Sequence, residues 1–222
     1  MSFLVMGPQW FSGFEHLFEI ISLLAAIFVG YYSYRVYRYT NQPKYRTMAA
    51  AFIIIALSFG LKVLTDVGVR AQVAEMGGIQ NIYQVLEVGM MLQSGYLAMR
   101  FFMLLGLVLL LKLAFDIREN RLLLLLAVFS ILTTFLSHSV YYAFHIAAAL
   151  MLGFIVEFMY RNFRNKKTKP ACAVLLAFTF LFLSQLAFMF VGQNSKLHAL
   201  GETLQLGGFI TLIVNHVLLL RR

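Results

Sequence analysis

The stretch that decides the fold is HALGETLQLGGFITLIVNHVLLL, which runs from His198 to Leu220. Its Gly207–Leu220 half is apolar enough to lie in the hydrocarbon core of a bilayer, which a helix of about 20 apolar residues crosses. Its first half carries Glu202, one helical turn after His198. A charged side chain inside a membrane costs roughly 2.5–3.5 kcal/mol on insertion scales, so such residues face a partner, an ion or water. The stretch therefore predicts a membrane helix with a polar edge that faces the protein interior.

The composition of the whole chain supports the same class. Of its 222 residues 61% are hydrophobic and only 12% are charged, and the mean hydropathy is +0.82. An ordinary soluble domain has about 25% charged residues. The sequence therefore predicts an integral membrane protein, and almost all of its length is needed to build the membrane bundle.

Seven segments have the length and apolarity of a spanning helix. The third is the longest and leaves two alternatives open, one long helix or an interfacial helix over Asn81–Arg100 followed by a span over Phe101–Phe115. The predicted fold class is all-α, a seven-transmembrane-helix bundle that forms a single integral membrane domain over residues 1–222. The predicted segments are Phe14–Tyr34, Met48–Val67, Ile82–Lys112, Leu122–Ser137, Val140–Tyr160, Ala171–Val191 and Leu197–Leu220.

The basic residues predict the orientation of the bundle. Cytoplasmic loops of membrane proteins carry an excess of Lys and Arg. Here 14 of the 18 Lys and Arg residues fall on one side, which places the N-terminus outside and the C-terminus in the cytoplasm of a multi-pass protein of the cell membrane. These residues are Arg35, Arg38, Lys44, Arg46, Lys112, Arg118, Arg121, Arg161, Arg164, Lys166, Lys167, Lys169, Arg221 and Arg222.

The net charge of +9 does not point to nucleic acid. The charges occur in short clusters beside apolar runs, as loop charges of membrane proteins do. The expected partners are the lipid bilayer and a cytoplasmic or membrane partner protein, and no nucleic acid is expected.

Polar side chains from six of the seven segments fall in one layer under the predicted outer face. At 1.5 Å per helical residue, Glu202 lies roughly 7–8 Å inside the outer end of its helix. Lys62 has Asp66 one turn away as an i,i+4 partner, and Glu15 is expected at the headgroup level. The layer predicts an inward-facing, outward-opening ligand site, for which the candidate residues are Glu202, His145, Glu87, Gln185, Glu19 and Lys62.

The function that this layer favours is binding or sensing of a small polar or cationic ligand, with the signal passed to a separate partner protein. Retinal is not expected as the ligand, because it needs a Schiff-base lysine in the middle of the seventh helix. That helix has none, and Lys196 precedes it.

Other classes of function remain open from the sequence. Haem b takes two axial ligands at equal depth, for which His145 and His16 are candidates. A divalent metal such as zinc takes three or four N and O ligands, and the spacing His198-x-x-x-Glu202 puts two on one helical face. The candidate metal ligands are His145, Glu202, His198 and His16.

A metal-dependent intramembrane enzyme and an ion or proton transporter are further alternatives. The sequence contains no Gly-x-Ser-x-Gly or His-Glu-x-x-His motif that identifies a common hydrolase or metalloprotease. Transport needs a polar route to the other side of the membrane. Arg100 and Glu157 are candidates for such a route, but the predicted cytoplasmic half is otherwise mostly Leu, Phe and Ile.

The predicted orientation is tested with single cysteines at Asn165 and Asn194 in a chain whose natural Cys172 is replaced by Ser. Because the charge asymmetry places Asn194 outside, a membrane-impermeant thiol reagent on intact cells should label Asn194→Cys alone. Labelling of Asn165→Cys in intact cells would overturn the orientation.

Overall fold

The computed structural model describes residues 8–75, 82–117 and 119–220 of the chain, with side chains omitted at 9, 12, 13, 73, 75, 82–87 and 218–220. The described chain is all-helical, and it contains seven α-helices long and apolar enough to cross a membrane. The predicted seven-helix fold is confirmed, and the chain is a multi-pass integral membrane protein. The helices are α1 Ser12–Thr40, α2 Pro43–Glu75, α3 Ile82–Ala114, α4 Asn120–Ser139, α5 Tyr141–Lys166, α6 Lys169–Met189 and α7 Lys196–Leu220.

Most helices extend beyond the predicted apolar segments. The backbone hydrogen bonds of a helix do not depend on hydrocarbon, so α1 and α2 continue through polar residues beyond the apolar runs. Asn41, in the left-handed conformation with φ 53°, ends α1, and Pro43 begins α2. The third segment is one continuous helix over Ile82–Ala114, which decides between the two alternatives for that segment.

Short connections make consecutive helices antiparallel. We call the end of the bundle at which α1 begins the upper end, and the opposite end, which carries the basic loops, the lower end. α1, α3, α5 and α7 run from the upper to the lower end, and α2, α4 and α6 return. The polar layer predicted from the sequence therefore lies near the upper end.

Six helices form a closed ring, and α4 lies outside it. Along the ring α1 packs on α2, α2 on α3, α3 on α5, α5 on α6, α6 on α7, and α7 on α1. α4 packs on the outside of α3 and α5. The ring brings the first and last helices together, so α1, α2 and α7 are neighbours although α7 is far from them in sequence.

The outer helix α4 buries hydroxyl groups and exposes leucines. Its buried residues all carry hydroxyls and recur at i, i+3, i+4 and i+7: Ser130, Thr133, Thr134 and Ser137. The Thr134 hydroxyl donates to the Ser130 carbonyl 2.8 Å away, so the group is satisfied within its own helix. Small residues of this kind let neighbouring helices approach closely in a membrane.

The apolar core fills the ring below the polar layer. Its buried members come from the six ring helices, while α4 only packs against it through Leu123 and Leu126. At the top of the core Phe59 of α2 meets Phe209 of α7, with ring centroids 5.3 Å apart and nearly perpendicular planes. This aromatic pair lies about one helical turn from Lys62 along α2, on the side toward the lower end.

Candidate functional site

The centre of the polar layer is the ammonium group of Lys62, which contacts carboxylates from two other helices. Its Nζ atom lies 2.5 Å from Glu19 Oε1 and 3.6 Å from Glu15 Oε1, both on α1. It also lies 3.3 Å from Glu202 Oε1 on α7. One lysine of α2 therefore connects the first and last helices of the ring.

A histidine lies on each side of this centre. His198 Nε2 of α7 is 3.4 Å from Glu15 Oε1. His16 Nδ1 of α1 is 3.6 Å from Glu19 Oε2 and 3.9 Å from Asp66 Oδ2 of α2. We call the set of seven residues the acidic cluster: Glu15, His16, Glu19, Lys62, Asp66, His198 and Glu202.

The local sequence explains why these side chains converge. Residues four apart lie one above the other on one face of a helix. Each of the three helices contributes such a pair to the cluster, and because α1, α2 and α7 are neighbours in the ring, the three faces meet. The pairs are Glu15 and Glu19 of α1, Lys62 and Asp66 of α2, and His198 and Glu202 of α7.

The inner part of the cluster is removed from solvent. Glu19 is 0% exposed and Glu202 is 2% exposed, and Lys62 is also buried. The Glu19 Oε2 and Glu202 Oε2 atoms receive no hydrogen bond from the described residues. The remaining members are less enclosed at the upper side, where the His16 side chain is 25% exposed.

The carboxylates outnumber the strongly basic groups of the cluster. The cluster holds four carboxyl groups, and three of them contact Lys62, the only Lys or Arg that contacts them in the part of the chain that is described. Buried carboxylates are normally paired or bound to metal ions. Because carboxyl groups are in excess, the cluster can bind a cation, or some of its carboxylates can be protonated.

Aromatic rings enclose the cluster beside α7. Phe11 is 3% exposed and packs against His198, with ring centroids 6.4 Å apart. Phe188 of α6 contacts His198 from another direction at 5.7 Å. A Cβ atom at Gly201 would lie 2.6 Å from the Phe188 ring, so the glycine permits this close packing beside Glu202.

Two of the predicted site residues form a separate pair. His145 of α5 donates from Nδ1 to Gln185 Oε1 of α6 at 3.0 Å. The ring of Phe188 packs against His145 at 5.3 Å and also against His198, and it lies between this pair and the acidic cluster. The structure thus brings Glu202, Lys62, Glu19, His198 and His16 together, and places His145 and Gln185 apart from them. The Glu87 side chain lies outside the described residues.

The residues suggested for a transport route are also apart from the cluster. Arg100 donates to the carbonyl and hydroxyl oxygens of Ser137, at 2.8 and 3.0 Å. Glu157 pairs with Arg161 at 2.5 Å, and both are exposed. Arg100 therefore links α3 to the end of α4, and Glu157 forms an ion pair within α5.

Two spaces lie near the His145–Gln185 pair. Gln185 lines a cavity of about 30 Å³ in the apolar core, which holds about one water molecule. A groove of about 420 Å³ between α5 and α6 begins at Ile146, the residue after His145, and it is lined mostly by apolar residues. His145 itself lines neither of these two spaces.

Sequence reasoning missed two members of the cluster. Glu15 was expected at the headgroup level, and it contacts both Lys62 and His198. Asp66 was expected to pair with Lys62, and it faces His16 instead and accepts a hydrogen bond from Tyr96 at 3.1 Å. The i,i+4 repeat of Glu15 with Glu19 was the available signal for the first of these.

Comparison with family models finds no match to this chain, and neither the curated proteins nor the solved structures give one. The side chains of the cluster are suited to holding a cation, holding and exchanging protons, or ligating a metal through carboxylate and imidazole.

Replacing Lys62 by alanine tests whether its ammonium group holds the cluster together. Removing one partner of a buried ion pair typically costs about 3–5 kcal/mol, so we expect Lys62→Ala to lower the melting temperature of the purified protein. Methylammonium or n-propylammonium chloride should restore part of the loss, because each carries the missing N–H donors into the space left by the side chain.

Two controls isolate the effect of the ammonium group. Lys44→Ala removes an exposed lysine near the lower end, and tetramethylammonium chloride supplies the charge without N–H donors. Equal stabilisation of Lys62→Ala and Lys44→Ala by the alkylammonium salts would contradict the role given to Lys62.

Proposed function

We propose that the protein is a membrane-embedded binding protein of the sensing type, which takes a cationic ligand at the acidic cluster from the upper side. The observation that carries this proposal is the ratio of four carboxyl groups to one lysine in a largely buried cluster. The residues assigned to ligand binding are Glu15, His16, Glu19, Lys62, Asp66, His198 and Glu202.

A cation is favoured as the ligand because of what the buried oxygens lack. Lys62 contacts one oxygen each of Glu19 and Glu202, and the second oxygen of each receives no hydrogen bond from the described residues. A buried acceptor without a donor costs about 1–3 kcal/mol, and more when it is charged. A bound cation relieves that cost, whereas an anionic ligand adds to it.

The graded exposure of the cluster supports entry from the upper end. The side chains of Glu15, His16 and Asp66 are 19%, 25% and 12% exposed, and Glu19 and Glu202 lie deeper. Below the cluster, Phe59 and Phe209 begin the apolar core. A site open at one side and closed at the other favours binding over transport.

The position of the site supports a sensing role. Lys62 contacts Glu19 of α1 and Glu202 of α7. A cationic ligand that competes with Lys62 for these carboxylates changes the ionic contacts that join the first and last helices. A ligand shifts a conformational equilibrium only through different interactions with the two states. The lower ends of the same helices carry basic residues that suit a cytoplasmic or membrane partner protein, in a cell membrane with the upper end outside.

Substitution of Glu19 by glutamine tests the cation site. Purified protein is melted in sodium, calcium, zinc and methylammonium chloride at constant ionic strength. A ligand at 100 times its Kd stabilises by about 2.7 kcal/mol, so at least one cation should raise the melting temperature of the natural chain. The rise should be much smaller in Glu19→Gln, which keeps the shape but removes the charge.

Glu157→Gln is the matched control, because it removes an exposed carboxylate near the lower end. It should keep the full response to the cation. The proposal is contradicted when none of the four cations stabilises the natural chain, or when Glu19→Gln responds as strongly as Glu157→Gln.

A further inference from the structure

We propose that His16, Glu19 and Asp66 form a site for one divalent transition-metal ion, with Zn²⁺ as the representative ion. This inference deepens the proposed function and rests on it, because it names the class of cation and three of the atoms that hold it. The ligand atoms are Nδ1 of His16, Oε2 of Glu19 and Oδ2 of Asp66, which come from two adjacent helices.

The spacing of these atoms fits ligands better than hydrogen-bonded partners. His16 Nδ1 lies 3.6 Å from Glu19 Oε2 and 3.9 Å from Asp66 Oδ2. N–H···O hydrogen bonds are about 2.7–3.2 Å long. The edge of a tetrahedron with metal–ligand bonds of about 2.0–2.1 Å is ~3.4 Å, so small side-chain movements bring the three atoms to the metal.

In each of the two carboxylates, Asp66 and Glu19, one oxygen already contacts another residue. Tyr96 donates to Asp66 Oδ1 at 3.1 Å, and Lys62 Nζ lies 2.5 Å from Glu19 Oε1. Each contact leaves the second oxygen of its carboxylate facing His16. Partners of this kind orient metal ligands in established metal sites.

One proposed ligand is a buried acceptor that lacks a donor. Glu19 is 0% exposed, and its Oε2 atom receives no hydrogen bond from the described residues while it faces His16. Lys62 contacts the other oxygen of this carboxylate, so the unsatisfied atom is Oε2, and buried charged oxygens are normally hydrogen-bonded or bound to a metal. This orphaned oxygen points to a ligand independently of the clustering of acidic residues.

A second triad, formed by Glu15, His198 and Glu202, also has metal-ligand spacing. Both of its carboxylates contact the Lys62 ammonium, at 3.6 and 3.3 Å, so a metal there lies beside a positive charge. In the His16 triad, Lys62 contacts only Glu19, and it does so at Oε1, whereas the proposed ligand atom of Glu19 is Oε2. Repulsion between cations therefore favours the His16 triad.

The ligand types select the class of ion. Imidazole nitrogen suits zinc and its first-row neighbours, whereas Mg²⁺ and Ca²⁺ prefer oxygen ligands alone. Three protein ligands leave a fourth tetrahedral position, and zinc sites with this count hold water or an exogenous ligand there.

The test measures zinc binding to the full-length protein in detergent, after chelator treatment, by equilibrium dialysis against ZnCl₂ with metal analysis. We expect about one zinc per chain with calcium and magnesium present, and loss of that zinc in His16→Gln and in Asp66→Asn. The control His138→Gln removes an exposed histidine that contacts Gln93 at the same end, and it should bind zinc as the natural chain does.

A second variant and a second probe keep the test independent of folding defects. Tyr96→Phe leaves all three ligands in place and should weaken zinc binding about 10–100-fold, as loss of an orienting partner does. Co²⁺ in place of zinc should give visible absorption from a site with nitrogen and oxygen ligands, and His16→Gln should abolish it.

Three results separate this inference from the function on which it rests. Zinc at one per chain that is unchanged in His16→Gln, Asp66→Asn and Tyr96→Phe overturns the assignment of the site. No zinc binding, together with stabilisation by another cation that depends on Glu19, overturns the metal and leaves the cation-binding function standing. No binding or stabilisation by any cation overturns both.

Discussion

The interaction on which the arrangement depends is that of the Lys62 ammonium with Glu19 and Glu202, in a region removed from solvent. An unpaired charge of any of these groups is costly inside a membrane protein, and mutual attraction offsets the cost only with good geometry. The contact joins α2 to both α1 and α7. It therefore fixes the upper end of the ring at the point where the chain's first and last helices meet, and the other carboxylates assemble around it.

The rest of the molecule holds that point in place and isolates it. The apolar core fills the ring below it, and Phe59 with Phe209 closes the top of that core. Hydroxyl residues let α4 pack outside the ring. Phe188 keeps the His145–Gln185 pair apart from the cluster. The buried ionisable groups thus lie in the upper part of the bundle, with apolar packing below them and the exposed basic residues at the lower end.

The fold could be predicted from the sequence because apolar runs of membrane length report directly on spanning helices. The depth of a residue could also be predicted, from its distance in sequence to the helix end, and this placed Glu202, Lys62 and Glu19 in one layer. The neighbours within that layer could not be read, because depth gives no direction around the bundle. The ring order, with α4 outside, decides that α7 meets α1 and α2, and that His145 faces α6. Glu15 was missed because proximity to a helix end suggested headgroup exposure.

The most direct test of the central claim is a double-mutant cycle with Lys62→Met, Glu19→Gln and the double variant, measured by equilibrium unfolding in detergent. Residues in contact show coupling energies of about 0.5–3 kcal/mol, and replacing both partners of a buried pair is often close to neutral. Because Lys62 also contacts Glu202, we expect each single substitution to be destabilising and the double variant to lose less stability than the two single losses added together, with coupling above about 1 kcal/mol. Additive effects of the two substitutions would contradict it.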